Sequence, residues 1–249
     1  MSTEGIYRAT LREAAVLHRA RPFRDHLDIG AGSGRLLQLA SERFGTAPRA
    51  CDYTDKFLQI ESVKVDVTDL NRQPLPYADT SFDLVTATEV VEHLARCRDV
   101  IRDIHRVLRP GGACILSTPN ILNLNSRLRF LWFGFWNLFG PLPLEGRGIH
   151  TTGGHINPIS AFYLGHALLE SGFVSVGFSV DKYQRSAIPK LLLFWPLIKF
   201  FGALAWRAEA DKYHTLDERN TPLVRAMNSL PLLLGRTVIV TAVKPSSAA

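Results

Sequence analysis

Two carboxylates and an imidazole crowd into Glu89-Val90-Val91-Glu92-His93, at positions i, i+3 and i+4. A helical turn would bring all three to one side. Such a set can hold a hard divalent ion such as Mg²⁺, with Glu89, Glu92 and His93 as ligands, and thereby acidify a hydroxyl bound to it. Without an ion, His93 can take a proton itself or orient a substrate, since an imidazole titrates near neutrality. Both chemistries activate a hydroxyl, and the spacing leaves both open.

A second stretch, Leu27-Asp28-Ile29-Gly30-Ala31-Gly32-Ser33-Gly34-Arg35-Leu36, is built to hold a ligand. An apolar strand-type run, residues 26–29, enters a glycine-rich turn, and a helix with apolar Leu36, Leu37, Leu39 and Ala40 leaves it. Glycine lets the backbone turn tightly and approach a ligand, and the helix presents its first N–H groups there. The dinucleotide fingerprint G-x-G-x-x-G needs a glycine where this chain has Arg35. No Tyr-x-x-x-Lys pair supports a nicotinamide dehydrogenase either. Asp28 would repel a pyrophosphate and suits a cofactor with a positive amino group.

This loop resembles the first motif of the class I S-adenosylmethionine-dependent methyltransferases. The resemblance continues through Pro74-Leu75-Pro76-Tyr77-Ala78-Asp79-Thr80-Ser81-Phe82-Asp83-Leu84-Val85, similar to the family's entry to its fourth strand. Val107-Leu108-Arg109-Pro110-Gly111-Gly112 is similar to its turn before the fifth. It covers about residues 26–120, and only weakly the rest. It implies S-adenosylmethionine as cofactor, with Asp28, Gly30, Ala31, Gly32 and Thr88 around it and Asp52 on the ribose hydroxyls. It also implies an acid on the adenine amino group, for which Asp69 followed by Leu70 is the choice and Asp66 the reserve. E-x-x-E-H further resembles the ligand set of the ubiquinone-biosynthesis O-methyltransferases and small-RNA 2′-O-methyltransferases. In the latter a lid histidine completes the site, which makes His155 the candidate here, alongside His93, unless it only caps the helix beginning near Ser160. Ser117-Thr118-Pro119-Asn120 would line the acceptor pocket or simply turn the chain.

The elements that must position these residues follow from periodicity. Strands are expected at about 26–29, 48–51, 63–67, 83–87 and 113–117, alternating with helices. Two more are expected at 173–180 and 236–243, an antiparallel pair if the family resemblance holds. The expected fold is therefore α/β, a doubly wound, Rossmann-like, mostly parallel seven-stranded sheet with an antiparallel edge strand and helical apolar insertions. An amphipathic helix over 6–19 could cover the cofactor mouth, and another spans 159–171. With 249 residues, one domain over 1–249 is expected, its core at about 24–120 and 159–245 and its insertions at about 121–158 and 185–232.

Both insertions are greasy. Arg127–Phe139 and Pro189–Phe201 mix aromatic and aliphatic residues with Arg or Lys. The first falls short of the roughly 20 apolar residues a transmembrane helix needs, and Pro196 and Lys199 interrupt the second. They read as a helical cap over the site, or as a cap that also touches a membrane, and they favour an amphipathic or lipid-linked acceptor. The net charge of +6 is compatible with anionic lipid or a phosphorylated acceptor. No basic stripe with exposed aromatics favours nucleic acid.

The three cysteines, Cys51, Cys97 and Cys114, have no metal or redox spacing and read as reduced thiols of a cytoplasmic protein. Glu4 and Glu13, with no continuous apolar stretch, argue against a signal peptide. The expected location is the cytoplasm, with peripheral contact at the inner face of the membrane as the variant the insertions allow. The expected function is O-methylation of a hydroxyl on a small-molecule, sugar or lipid-linked acceptor. The alternatives are an RNA or protein methyltransferase and a non-catalytic partner protein of the same fold.

Overall fold

The computed structural model describes residues 3–145 and 154–246; part of the first insertion, 146–153, lies outside them. Seven strands form one sheet in the order β3-β2-β1-β4-β5-β7-β6. They are β1 (Asp25–Ile29), β2 (Ala47–Asp52), β3 (Val65–Val67), β4 (Phe82–Thr88), β5 (Leu108–Pro119), β6 (Val174–Val180) and β7 (Thr237–Val243). The pairs β1–β2, β1–β4, β2–β3 and β4–β5 are parallel. The late strand β7 inserts between β5 and β6 and runs antiparallel to both. The expected doubly wound sheet is therefore present, with β7 as its antiparallel member and β6 at the rim.

The order reverses between β1 and β4, so the chain leaves these two strands in opposite directions and opens a crevice at their carboxyl ends. Residues at the ends of β1, β2 and β4 all reach that edge. Strand β4 can occupy the middle because it is buried along its whole length, as a strand covered by helices on both faces must be. Helix α1 (Glu4–Ala20) buries Ile6, Ala9, Leu11 and Ala14. Helix α2 (Arg35–Phe44) follows the glycine loop, and α3 (Cys97–Val107) buries Val100, Ile101, Ile104 and Val107 on one face. Helix α5 (Ala161–Glu170) is capped by Ser160 itself, whose hydroxyl accepts from Tyr163 N–H at 3.4 Å.

Strand β5 begins at Leu108, five residues before the expected start at 113, because Arg109-Pro110-Gly111-Gly112 is absorbed into the strand. A register shift between Phe82 and Leu84 accommodates it. Arg109 then bridges Asp25 (2.7 Å) and Asp83 (2.9 Å), tying β5 to β1 and β4. Burial alone would raise the Asp83 pKa. The N–H groups of Asp25 and Arg24 and the Arg109 guanidinium outweigh that, and the carboxyl ends below its usual 3.8. A lowered carboxylate pKa stabilises the fold above the unfolded value, and the gain is lost as pH falls through the folded one. Asp83→Asn should accordingly unfold about 1–3 kcal/mol more easily at neutral pH. Thermal melts should show that gap closing below about pH 4. A gap that stays constant down to acid pH would rule this account out.

The second insertion departs from expectation. Pro196 does not break it: α6 (Ile188–Arg207) runs straight through that residue. It is preceded by a 3₁₀ turn, Arg185–Ala187, and continues as a π-helical stretch, Ala208–Tyr213. The 29 residues Arg185–Tyr213 are, by length and composition, long and apolar enough to cross a membrane. The chain returns through α7 (Thr221–Ala226) and α8 (Leu230–Leu234). In the first insertion, α4 (Leu124–Phe133) starts at Asn123, whose side chain accepts from Ser126 N–H at 2.9 Å, and stops at Gly134.

Candidate active site

A cavity of about 740 Å³ opens at the carboxyl ends of β1, β2 and β4. Gly30, Ala31 and Gly32 form one wall, and Asp52, Asp69, Leu70 and Thr88 lie around it. Glu89 and His93 reach it from beyond β4. Glu4 and Tyr7 of α1 close one side, so the first helix does stand at the mouth. The volume is that of a pocket for a nucleoside-sized ligand.

The glycines have different tasks. Gly30 has φ +69°, and a Cβ there would lie 2.4 Å from Val90 Cγ2, so this residue lets the loop pack on the chain beyond β4. At Gly32, φ is +51° and a Cβ would meet nothing within 4 Å. The open space over Gly32 is a cradle that a side chain would fill. Its N–H donates to Asp52 Oδ2 at 2.9 Å, which fixes the carboxylate at the end of β2. Asp69 anchors its own turn, accepting from Asn71 N–H at 3.0 Å. Asp66 is held by the Tyr77 hydroxyl at 2.8 Å and does not line the cavity.

Asp28 is also absent from the lining. It is buried under the loop and accepts from the Thr86 hydroxyl at 2.6 Å. Thr86 has a single proton to give, so it must accept from His26 Nε2–H, 2.7 Å away. Burial, the largest influence, pushes the Asp28 carboxyl up to about 7, and Thr86 pulls it back only in part. Asp28, expected beside the cofactor amino group, turns its carboxyl to Thr86 and away from the cavity. The side chain supports the loop from below, because β1 carries it on the face toward Thr86 of β4.

The acidic cluster also differs from the expected helical face. Glu89 takes φ +57° and its N–H donates to Ser117 O (3.1 Å) and Oγ (3.0 Å), so the helical path does not begin there. Only Val91–His93 coils, as a 3₁₀ turn. The Glu89 carboxylate accepts from the Ser117 hydroxyl at 3.3 Å. Ser117 therefore serves Glu89, while Asn120 is a buried turn residue that donates to Leu232 O and Gly235 O. The groups that converge are Glu92, His93 and His155, with one ligand atom from each lying within 4.8 Å of the others.

The histidines are oriented by backbone. His93 Nδ1 lies 2.9 Å from Gly154 O, and His155 Nδ1 lies 2.9 Å from Leu138 O. A carbonyl only accepts, so each Nδ1 carries its proton and each Nε2 is the basic nitrogen. The rings meet edge to face, centroids 4.8 Å apart. Burial, then the charge His93 carries when protonated, lowers the His155 pKa against the pull of Leu138 O. His155 is thus engaged with Leu138 and does not cap α5.

Glu92 is fully buried, and among the described residues its carboxylate oxygens have no well-formed hydrogen bond, only the weak pull of the nearby Thr118 hydroxyl and of its own backbone. Burial first, and the Glu89 charge second, raise its pKa well above the carboxylate range. Burial likewise lifts Glu89 to about 7, against the pull of Ser117. A buried carboxylate without a strong partner needs a proton or a cation. An ion would find one oxygen and two imidazole nitrogens here, a set suited to borderline transition metals more than to Mg²⁺. Glu89 is not part of that set. Among the described residues, neither apolar insertion contributes a side chain to the 740 Å³ cavity, and α6 does not line it.

Sequence reasoning missed Glu4, Tyr7, Tyr53, Phe57 and Asn71 among the lining residues. Only the α1 pair had a signal, in the amphipathic pattern of that helix.

A family model described as a methyltransferase domain matches residues 27–116. The ubiquinone/menaquinone biosynthesis C-methyltransferase of Hydrogenovibrio crunogenus is 31% identical over 119 residues, 43% of this chain and 47% of that protein. The ubiquinone biosynthesis O-methyltransferase of Parvibaculum lavamentivorans is 33% identical over 109 residues, 40% of this chain and 43% of that protein. Both alignments thus span less than half of the relative. In structure, an S-adenosylmethionine-dependent methyltransferase from Archaeoglobus fulgidus superimposes with a TM-score of 0.58 at 16% identity. That match covers 95% of this chain and 93% of the other, a likeness of fold.

Proposed function

We propose, for a chain that belongs to the class I S-adenosylmethionine-dependent methyltransferases, O-methylation of a hydroxyl on a small amphipathic acceptor. The observation that carries this reading is a single cavity that joins the open cradle at Gly32, the carboxylate of Asp52 and the imidazole of His93. The cradle and an acid at the end of β2 suit a nucleoside cofactor with ribose hydroxyls. S-adenosylmethionine supplies, when bound, a sulfonium methyl whose C–S bond breaks as the acceptor oxygen bonds to that carbon.

The chain's own residues do the rest. Gly154 O fixes the His93 ring with Nε2 as its basic nitrogen, which takes the acceptor's hydroxyl proton. Asp52, Asp69 and Leu70 position the nucleoside so that the displacement is in line, and positioning supplies much of the rate. Tyr7 and Glu4 shield the mouth from water. The quinone-type substrates in the relatives' names support a hydroxylated ring on an apolar tail as the acceptor. The convergence of a buried Glu92 carboxylate with His93 and His155 favours one second reading, an ion held by these three residues that acidifies the same hydroxyl.

A transfer assay with methyl-tritiated S-adenosylmethionine tests the proposal. The probes are a catechol bearing a short prenyl chain and the same catechol without it. Label should enter the prenylated ring faster, and mild acid should not release it, as for an ether. Tight S-adenosylhomocysteine binding without transfer to either catechol would leave the partner-protein alternative. Label on carbon instead of oxygen would replace O-methylation with C-methylation.

A further inference from the structure

We propose that α4 and α6 together form a membrane-docking face that lies in the plane of an anionic bilayer without crossing it. Leu191, Trp195 and Ile198 turn one side of α6 onto the protein, where they pack against Leu124, Leu233 and Leu234. A surface helix normally turns a polar face to water. The side of α6 away from the protein instead carries Leu193, Leu197, Phe200, Phe201 and Leu204, all exposed, and no residue of α6 is buried. Beside it, Leu131, Trp132 and Phe133 of α4 are exposed by 69%, 72% and 58%. Trp132 and Phe133 share a depression with Lys190 of α6, so α4 meets the first turn of α6 beside these exposed rings. Exposed patches of this kind mark interaction sites.

Charge identifies the occupant. The two helices contain Arg129, Lys190, Lys199 and Arg207 and no acidic residue, and their fifth cation, Arg127, is turned inward, donating to Leu122 O and Met227 O. Lys199 Nζ stands 4.6 Å from the Trp195 ring centroid, and the Arg129 guanidinium 5.3 Å from that of Phe133. Aromatic and aliphatic side chains interspersed with cations, with Glu209 and Asp211 only in the π-helical stretch beyond Arg207, match the headgroup boundary of an anionic membrane. A second protein surface would need its own acidic rim around an apolar centre to fit the same face.

Connectivity decides the orientation. Helix α6 is about 30 Å long, the thickness of a hydrocarbon core. If it crossed, its end near Tyr213 would lie on the far side. Yet Arg219, six residues later, donates to Leu169 O at 2.8 Å in the body of the protein. Six residues reach at most about 22 Å, and they would draw Asp217 and Glu218 through lipid. The Arg225 guanidinium also lies 5.5 Å from the Trp206 ring centroid, holding the far end of α6 to the domain. The helix is fastened at both ends and must lie flat.

The test is co-sedimentation of the whole protein with phosphatidylcholine vesicles, with and without phosphatidylglycerol. Binding should need phosphatidylglycerol, and alkaline carbonate should release the protein. A variant with Leu193→Ser, Phe200→Ser and Phe201→Ser should partition about tenfold or more weakly, with S-adenosylhomocysteine affinity unchanged as proof of folding. Equal binding by the variant, no binding by wild type, or resistance to carbonate would each overturn the proposal. So would a dimer in sedimentation velocity that the same substitutions dissolve, since the face would then cover a second copy. None of these outcomes depends on methyl transfer, so the docking face and the proposed reaction stand or fall separately.

Discussion

Replacing His93 with alanine should slow methyl transfer by roughly 10²–10⁴-fold, the usual worth of a positioned general base. Affinity for S-adenosylhomocysteine should stay within about twofold, because the nucleoside is held by other residues. The two readings of the cluster then separate cleanly. If His93 acts alone, EDTA leaves turnover unchanged. Glu92→Gln should then be mild, since an amide replaces a carboxyl whose ionised form burial already disfavours. If an ion is held by Glu92, His93 and His155, EDTA should abolish turnover, and Mn²⁺ or Zn²⁺ should restore it better than Mg²⁺. Glu92→Gln and His155→Ala should each resemble the chelated protein, whereas Glu89→Gln should not. Stopped-flow or initial-rate assays with one acceptor suffice. A His93→Ala protein with normal turnover would remove both readings and leave positioning as the source of rate.

What the sequence disclosed and what it withheld divide along a physical line. The glycine loop was legible because local backbone rules govern a tight turn between strand and helix, whereas Asp52 was placed by the general pattern of doubly wound folds and Asp69-Leu70 by the family resemblance. All of them line the cavity. The arrangement of Glu89, Glu92 and His93 was not legible, since helical spacing assumes helical backbone. Glu89 is turned to φ +57° by hydrogen bonds to Ser117, 28 residues away. The meeting of His93 with His155 spans 62 positions and depends on Leu138 O and Gly154 O, for which no pattern stands in the chain. Asp28 had the right type at the right spacing, and only the pairing of β1 with β4 reveals that its carboxyl goes to Thr86. Pro196 misled for a related reason. Proline removes one helical hydrogen bond at a cost of about 3 kcal/mol. The anchoring of Trp195 and Ile198 on Leu233 and Leu234 keeps the helix on course.

Asp52→Ala should weaken S-adenosylhomocysteine binding by roughly 10–100-fold, the loss expected when hydroxyls give up a charged acceptor worth about 1.5–3 kcal/mol. The same carboxylate fixes Gly32 N–H, so the loop would also lose its brace. A second substitution shows whether the cradle itself matters. Gly32→Ala adds one carbon that meets no protein atom within 4 Å, so the methyl can only enter the ligand's space. The backbone already holds a left-handed φ there, at a cost of about 1–2 kcal/mol for alanine, which the fold should survive. At Gly30 the same change would put a carbon 2.4 Å from Val90 Cγ2 and should injure the fold. Calorimetry on Asp52→Ala and Gly32→Ala, with thermal melts of all three variants, reads these effects apart. Binding should fall in the first two, with melting near wild type, and Gly30→Ala should melt early. If both cavity variants bound S-adenosylhomocysteine as wild type does, the nucleoside site would lie elsewhere, and if wild type preferred NAD, the cofactor would be a different one.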